Sequence, residues 1–184
     1  RTLSDQLGVS RTPIREALKQ LEIEGYVSNT PGKGFYVSKL YFEDFIEFFE
    51  LKESLESMAA KLCCERKTPA VIQNLEKAFQ DHKDAVNDKN YDMAYGLDII
   101  FHLAYIKGSQ NQRLEKALQS VIEQTKRVLY SDRYPHEKYD SLVLQHEAVL
   151  NAIKSSDPES ARVAVANHVE DVKNYWKNDI YKIR

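Results

Sequence analysis

The sequence is poor in cysteine and contains no long hydrophobic run. Cys63 and Cys64 are its only two cysteines, and as direct neighbours they make a poor pair for a structural disulfide, so a reducing compartment is expected. The longest apolar stretch, residues 97–106, is interrupted by Asp98 and His102, which excludes a helix that spans a bilayer. No basic-then-apolar leader with a small-residue cleavage site is seen, so the cytoplasm is the expected location.

Glycine is also scarce, and its distribution divides the chain. Four of the six glycines fall in the first 34 residues, so short elements with tight turns are expected there and long helices afterwards. The net charge of −2 divides similarly: residues 1–40 carry six basic and four acidic groups, whereas residues 41–184 carry 20 and 24. With 42% hydrophobic residues the chain can build a packed core. The sequence predicts a basic head, residues 1–40, and an acidic helical body, residues 41–184.

Two helices and a hairpin are predicted in the head. A short helix capped by Thr2 ends at Gly8, and Ser10 caps a second helix whose apolar stripe runs to a stop at Gly25. Two strand-like pieces follow, residues 26–28 and 35–38, joined by a turn rich in proline and glycine. This order is that of a helix-turn-helix followed by a β-hairpin wing.

The exposed face of the second head helix is basic. Arg11, Arg15 and Lys19 are spaced four residues apart, so their side chains line up, and Thr12 lies beside them. Such a face suits a helix that enters the major groove, because arginine binds guanine O6 and N7 while hydroxyl and ammonium groups bind phosphate. The alternative is a solvated charged face of the kind found on many small helices.

The segment LSDQLGVSRTPIREALKQLEIEGYVSNTPGKGFYV resembles the winged helix-turn-helix of the GntR family of bacterial transcription regulators. That family's domain has one more helix before this point, so the resemblance implies an N-terminally truncated DNA-binding domain. It also implies contacts of the second helix with operator bases and phosphates, of the wing tip with the minor groove or backbone, and of the N-terminal arginine with phosphate or a base edge. Together with Lys19 from the basic face, the expected DNA-binding residues are Arg1, Arg11, Thr12, Arg15, Lys19, Gly32 and Lys33.

The body is predicted to be an all-α bundle of about six helices. Apolar spacing and helix breakers place them at about 43–66, 69–87, 91–107, 110–131, 139–154 and from 158 almost to the C-terminus. Gly108 is expected to stop the third of these. A binding site in such a bundle should lie between facing helices.

Three histidines and one aspartate lie on the inward faces of body helices. Asp98 and His102 share one helix at i, i+4, and His146 and His168 occupy apolar faces of two others. Three neutral imidazoles and a carboxylate suit a borderline divalent ion, with zinc or nickel favoured and manganese or cobalt as further candidates. The alternative is that each histidine is a hydrogen-bonded core residue.

The other two histidines are interpreted differently. His82 lies in a charged stretch of helix and His136 in a loop after proline, so both are expected to be solvated.

The segments LDIIFHLAYIKGSQNQRL and QHEAVLNAIKSSDPESARVAVANHV resemble the ligand-sensing FCD domain that defines the FadR subfamily of GntR regulators, and the helix count resembles its VanR-type branch. The resemblance implies that Asp98, His102, His146 and His168 bind the metal ion. Because the four ligands leave one or two coordination positions open, a small organic acid is expected as effector, with its carboxylate on the metal and its remainder against Lys52, Arg127 or pocket tyrosines such as Tyr95. Many relatives have an arginine where Lys52 stands, so the identity of their effectors does not carry over.

The function expected from these features is transcriptional regulation, most simply repression, with no enzymatic activity. A homodimer would read pseudo-palindromic double-stranded operator DNA, and the metal and the effector in the body would modulate that binding. One alternative is the same dimer without a metal. Another is a metal-dependent hydrolase. The argument against it is that no further Glu or Asp lies clearly near the four ligands in the sequence to act as a general base.

Overall fold

The computed structural model describes residues 3–38, 42–131 and 135–180, with the side chains of 42–43, 124–131 and 179–180 left aside. The contacts between residues divide the chain into two compact units, a head, Arg1–Tyr41, and a body, Phe42–Arg184. None of the described helices is long and apolar enough to cross a membrane.

The head consists of two helices and a hairpin. Its elements are α1 (Leu3–Leu7), α2 (Arg11–Ile23), β1 (Val27–Thr30) and β2 (Gly34–Val37). The predicted stop of α2 at Gly25 is confirmed: this residue has φ 80°, and the Tyr26 N–H donates to the Leu21 carbonyl at 2.8 Å. This hydrogen bond closes the helix end in the manner of a Schellman motif, which needs a residue with positive φ.

The bounds of the hairpin strands differ from the sequence-based expectation. Antiparallel pairing runs from Val27 opposite Val37 to Thr30 opposite Gly34, so β1 extends two residues into the predicted turn. The turn is correspondingly tighter and leaves only residues 31–33 at the wing tip. Glycine is needed at this tip because φ is 76° at Gly32.

The two predicted N-caps of the head have different outcomes. Ser10 takes the N-cap position of α2 with extended backbone, but its side chain makes no capping hydrogen bond. The cap predicted at Thr2 lies outside the described residues.

The described part of the body contains six α-helices, as predicted, and one short 3-10 turn at His136–Lys138. The helices are α3 (Phe42–Arg66), α4 (Pro69–Asn87), α5 (Tyr91–Gly108), α6 (Gln112–Ser131), α7 (Tyr139–Lys154) and α8 (Pro158–Ile180). Their ends agree with the predicted ones because side chains cap the helices where the sequence indicates. The Thr68 hydroxyl accepts from the Val71 N–H, Asn90 accepts from Met93, and Asp157 accepts from Ser160 at 3.0 Å.

Helix α3 lies at the centre of the body and packs against α5, α6, α7 and α8, while α4 packs on α5 and α7. Large side chains from several helices are fully buried between them, including Phe49, Phe101, Tyr105, Leu118 and Trp176. Burial of such side chains is the main source of stability in a helical bundle. The same packing also buries single polar side chains from five helices, namely Glu56, His82, His102, His146 and His168.

Gly108 has a different role from the one predicted. Helix α5 does end there, but the positive φ of the following turn, 51°, belongs to Gln110. A Cβ atom on Gly108 would lie 2.5 Å from Cys63 Sγ and 2.8 Å from Val71 Cγ1. Glycine is therefore required for the close approach of α5 to α3 and α4.

We expect Gly108→Ala to lower the free energy of unfolding by about 1–3 kcal/mol, since a methyl group overpacks this contact. Gly96→Ala, also within α5, is the matched control because its Cβ would meet nothing within 4 Å. It should stabilise the protein by up to about 1 kcal/mol through helix propensity. Urea unfolding of both variants measures the difference, and a stabilising Gly108→Ala would contradict the packing role.

Candidate functional site

The head presents its predicted DNA-binding side chains to solvent. Arg11, Thr12, Arg15 and Lys19 are all exposed on α2, and Lys33 is exposed at the wing tip beside Gly32. Arg1 lies outside the described residues. A basic helix face and an exposed hairpin tip are the two elements with which winged helix-turn-helix proteins approach DNA.

Three helices of the body contribute to one polar cluster. Ligand atoms of Asp98 and His102 on α5, His146 on α7 and His168 on α8 all lie within 4.8 Å of one another. The three histidines are buried and Asp98 is half-buried. The four residues that the sequence singles out for a metal ion therefore converge in space.

The outer nitrogen of His102 is held by a carboxylate. His102 Nδ1 lies 2.8 Å from Glu56 Oε2, and Tyr105 and Lys52 donate to the same oxygen at 2.8 and 2.9 Å. Burial alone would raise the pKa of Glu56, but the charge of Lys52 and the contact with His102 outweigh it and hold this pKa well below its usual range. The Tyr105 hydroxyl also lies 2.7 Å from His102 Nδ1, but its single proton is donated to Glu56. Because the ionised carboxylate only accepts hydrogen bonds, the proton of a neutral His102 lies on Nδ1.

The outer nitrogen of His168 is held by an amide. His168 Nδ1 lies 2.8 Å from Gln145 Oε1, while Gln145 Nε2 donates to Asp171 Oδ2 at 2.9 Å. The Asp171 carboxylate accepts only, so it fixes the amide with its oxygen toward the histidine. The proton of a neutral His168 therefore also lies on Nδ1.

With both protons on the outer nitrogens, the Nε2 atoms of His102 and His168 face each other at the centre of the cluster without a proton between them. When both rings are neutral, each carries one proton, so both Nε2 atoms hold lone pairs, and they lie only 3.1 Å apart. Burial, assisted by His102 and Lys52, lowers the pKa of His168 well below its usual value, which disfavours a shared proton. Nitrogen ligands about 2.0–2.1 Å from one zinc ion stand about 3 Å apart. The donor set thus fits a divalent metal ion.

His146 provides a second indication of the same kind. Its Nε2 is buried and makes no hydrogen bond with any residue that the structure describes, although Asp98 Oδ1 lies 3.4 Å away. Burial, together with the neighbouring His168, His102 and His82, lowers the pKa of His146 well below its usual value. A neutral ring with an orphaned nitrogen beside a carboxylate is in the form that binds metal.

Two residues near the cluster contradict the sequence-based expectations. His82 on α4 was expected to be solvated but is fully buried, with Nδ1 3.3 Å from His146 Nδ1. The sequence does indicate that His82 is buried, because it belongs to an apolar helix face that includes Leu75, Phe79 and Val86. Likewise, a further carboxylate does lie near the ligands, namely Glu56. It accepts three hydrogen bonds and its pKa is low, so it is not available as a general base.

A cavity of about 80 Å³ adjoins the cluster. Asp98, His102 and His168 form part of its wall, and its apolar part consists of Phe49, Ile99, Ile122, Leu142, Val169 and Val172. A cavity needs only about 10–15 Å³ by this kind of measure to hold one water molecule, so this one has room for a small organic molecule.

Two family models match the chain. The FCD domain covers residues 47–171, and the bacterial regulatory proteins of the gntR family cover residues 1–37. The chain is a GntR-family regulator with an FCD domain. Members of both families and the related proteins are transcriptional regulators and not enzymes, so the hydrolase alternative is excluded.

Curated relatives and solved structures agree with this assignment to the GntR family. The Nta operon transcriptional regulator of Aminobacter aminovorans is 34% identical over 74% of this chain and 67% of its own length. The Uxu operon regulator of Haemophilus influenzae is 30% identical over 94% of this chain and 70% of its own. The structure of McbR/YncC from E. coli superimposes with a TM-score of 0.78 at 25% identity, covering 97% of this chain and 85% of that one.

The three residues expected to contact an effector in this GntR-family chain have different environments. Lys52 and Tyr95 both line the cavity. The Lys52 side chain is only 13% exposed, however, and its ammonium is paired with Glu56 at 2.9 Å. The side chain of Arg127 is outside the described part of the chain. Lys52 is thus already neutralised before any ligand enters.

We expect Lys52→Met in this GntR-family chain to lower the free energy of unfolding by about 3 kcal/mol, because it leaves the buried Glu56 carboxylate without its counter-charge. Lys77→Met is the matched control: it breaks the Lys77–Asp81 pair, which has the same i, i+4 spacing but side chains 73% and 40% exposed. That change should cost about 0–1 kcal/mol. Chemical unfolding at pH 7 compares the two, and equal losses would contradict the ionised state of Glu56.

Proposed function

We propose that this protein binds operator DNA through its head and senses a small carboxylate through a divalent metal ion in its body. The observation that carries the proposal is the convergence of Asp98, His102, His146 and His168 beside a cavity in the domain of a transcriptional regulator. Asp98 and the three imidazoles hold the ion, with zinc or nickel as the favoured metals and manganese or cobalt as alternatives. The bound ion supplies a positively charged coordination site for an anionic oxygen.

The charges that surround the cavity support an acidic effector. Asp98 and Glu56 contribute two formal negative charges and Lys52 contributes one positive charge. A divalent ion reverses this balance to one net positive charge, which attracts an anion. Because Glu56 neutralises Lys52, the counter-charge for an effector carboxylate is provided by the metal centre, and Tyr95 and the apolar wall contact the rest of the molecule.

The route from the body to DNA depends on a homodimer. Two heads must match half-sites at a fixed spacing, so a shift of body helices on effector binding changes operator affinity. Relatives at 30% identity or more are named as regulators of the Nta and Uxu operons, which supports the operon as the regulated unit. The basic face of α2, with Arg1, Arg11, Thr12, Arg15 and Lys19, and the wing tip, with Gly32 and Lys33, supply the DNA contacts in this proposal.

One alternative is the same regulator without a metal, with the histidines as ordinary core residues. The 3.1 Å approach of the two Nε2 atoms argues against it, because core histidines normally face a donor or an acceptor and not another lone pair. Metal analysis separates the two possibilities.

We expect the purified protein to contain about one divalent ion per chain, and His146→Ala to lose it, since one buried ligand is removed. After the metal is removed with a chelator, zinc added at 100 times its Kd should stabilise the wild-type protein by about 2.7 kcal/mol, seen as a rise in Tm. His136→Ala, which removes an exposed histidine outside the cluster, is the control and should bind like wild type. A wild-type protein that holds no metal and shows no change in Tm with zinc, nickel, cobalt or manganese overturns the proposal.

We expect acetate, succinate or citrate to change operator affinity by about 5–150-fold in the zinc-loaded protein and to have no effect in His146→Ala, because the carboxylate needs the ion. The operator is a duplex selected from a random pool by the protein itself, and fluorescence anisotropy gives Kd. Arg15→Ala should lose DNA affinity while its metal content stays unchanged, which separates the tasks of the head and the body. If neither acids nor chelator alter the Kd of the wild-type protein, the sensing role is refuted.

A further inference from the structure

His82 is the buried histidine that the proposed metal site does not use. It is fully buried on α4, and its ring lies against that of His146, with centroids 4.9 Å apart. Its Nδ1 is 3.3 Å from His146 Nδ1, whereas its Nε2 makes no hydrogen bond within the described structure. The contact with His146 is therefore the one hydrogen bond that the described residues offer to this imidazole.

The geometry of this pair allows two arrangements of protons. A hydrogen bond between two Nδ1 atoms requires a proton on one of them and a lone pair on the other. If His82 donates, its proton lies on its own Nδ1, His146 Nδ1 accepts with a lone pair, and a neutral His146 carries its proton on Nε2, facing Asp98 Oδ1 at 3.4 Å. If His146 donates, its Nε2 keeps a lone pair directed at the cluster, and His82 carries its proton on Nε2.

We propose that His82 is a positioning residue that accepts a hydrogen bond from His146 Nδ1 and thereby holds His146 in its metal-binding tautomer. This inference rests on the proposed metal site. Metal-ligating histidines generally donate their second ring N–H to an acceptor, which orients the ring and raises its basicity. Glu56 does this for His102 and Gln145 for His168. His82 completes the set, so that each of the three ligand imidazoles has its own acceptor.

A purely space-filling role would not explain an imidazole at this position. The neighbours of His82 on the buried face of α4 are apolar, namely Leu75, Ala78, Phe79, Ala85 and Val86. A leucine here would fill the space without leaving a buried Nε2 unpaired, and an unpaired buried polar atom is costly.

The test compares two substitutions in the full chain. His82→Leu removes the acceptor, and zinc Kd, measured by competition with a chromophoric chelator, should weaken about 10–100-fold. His82→Asn retains an amide oxygen at about the position of Nδ1 and should keep zinc Kd within about threefold of wild type. The absorption spectrum of the cobalt-loaded protein should change in His82→Leu and remain in His82→Asn.

The outcomes separate this inference from the proposed function. If the wild-type protein binds zinc and His82→Leu binds it equally well, or if both variants weaken equally, the positioning role is overturned while the metal site stands. If the wild-type protein binds no zinc, both fall.

A measurement on the zinc-loaded wild-type protein needs no substitution. Long-range ¹H–¹⁵N correlation spectra report the tautomer of each ring, and we expect a proton on His146 Nδ1 and on His82 Nε2. A proton on His82 Nδ1 in that state would overturn the inference even if His82→Leu fails to fold.

Discussion

A neutral imidazole carries a single proton, and the body of this regulator directs that proton away from the centre of its polar cluster. Glu56 and the amide oxygen of Gln145 accept hydrogen bonds from His102 and His168, which, when both rings are neutral, leaves two lone pairs 3.1 Å apart in a buried space. Positive charge must lie beside them for this arrangement to be stable, and burial disfavours a proton. The fit of the site to a metal ion follows from this one constraint.

The helical bundle is arranged so that no single element builds the cluster. The candidate ligands come from α5, α7 and α8, and the hydrogen-bond partners Glu56 and Gln145 come from α3 and α7. Each orienting contact joins residues distant in sequence, for example Glu56 and His102, which are 46 positions apart. A movement of one helix against another therefore changes both the ligands and their hydrogen-bond partners, which is the coupling that a sensing domain requires.

The helices and their inward faces could be predicted from the sequence, whereas the residues that surround the four candidate ligands could not. Helix ends were predictable because Thr68, Asn90 and Asp157 cap them through local hydrogen bonds, and the inward faces of His102, His146 and His168 followed from apolar spacing. Glu56 was missed because its burial depends on Lys52 and on a histidine from another helix, which local sequence does not reveal. His82 was missed because charged neighbours at Asp81 and Lys83 concealed the apolar face to which it belongs.

Gly108 contributes no atom to the site, but it affects the distance between the two helices, α5 and α3, that carry His102 and Glu56. The glycine lies six residues after His102 on α5, about 9 Å along the helix axis, and its contact partner Cys63 lies seven residues after Glu56 on α3. The two helices are thus brought together one or two turns away from the 2.8 Å hydrogen bond between Glu56 and His102. A hydrogen bond weakens with a few tenths of an ångström of stretching. Because Gly108 has no Cβ atom, α5 can approach α3 closely enough for Glu56 to hold the imidazole of His102 in its orientation.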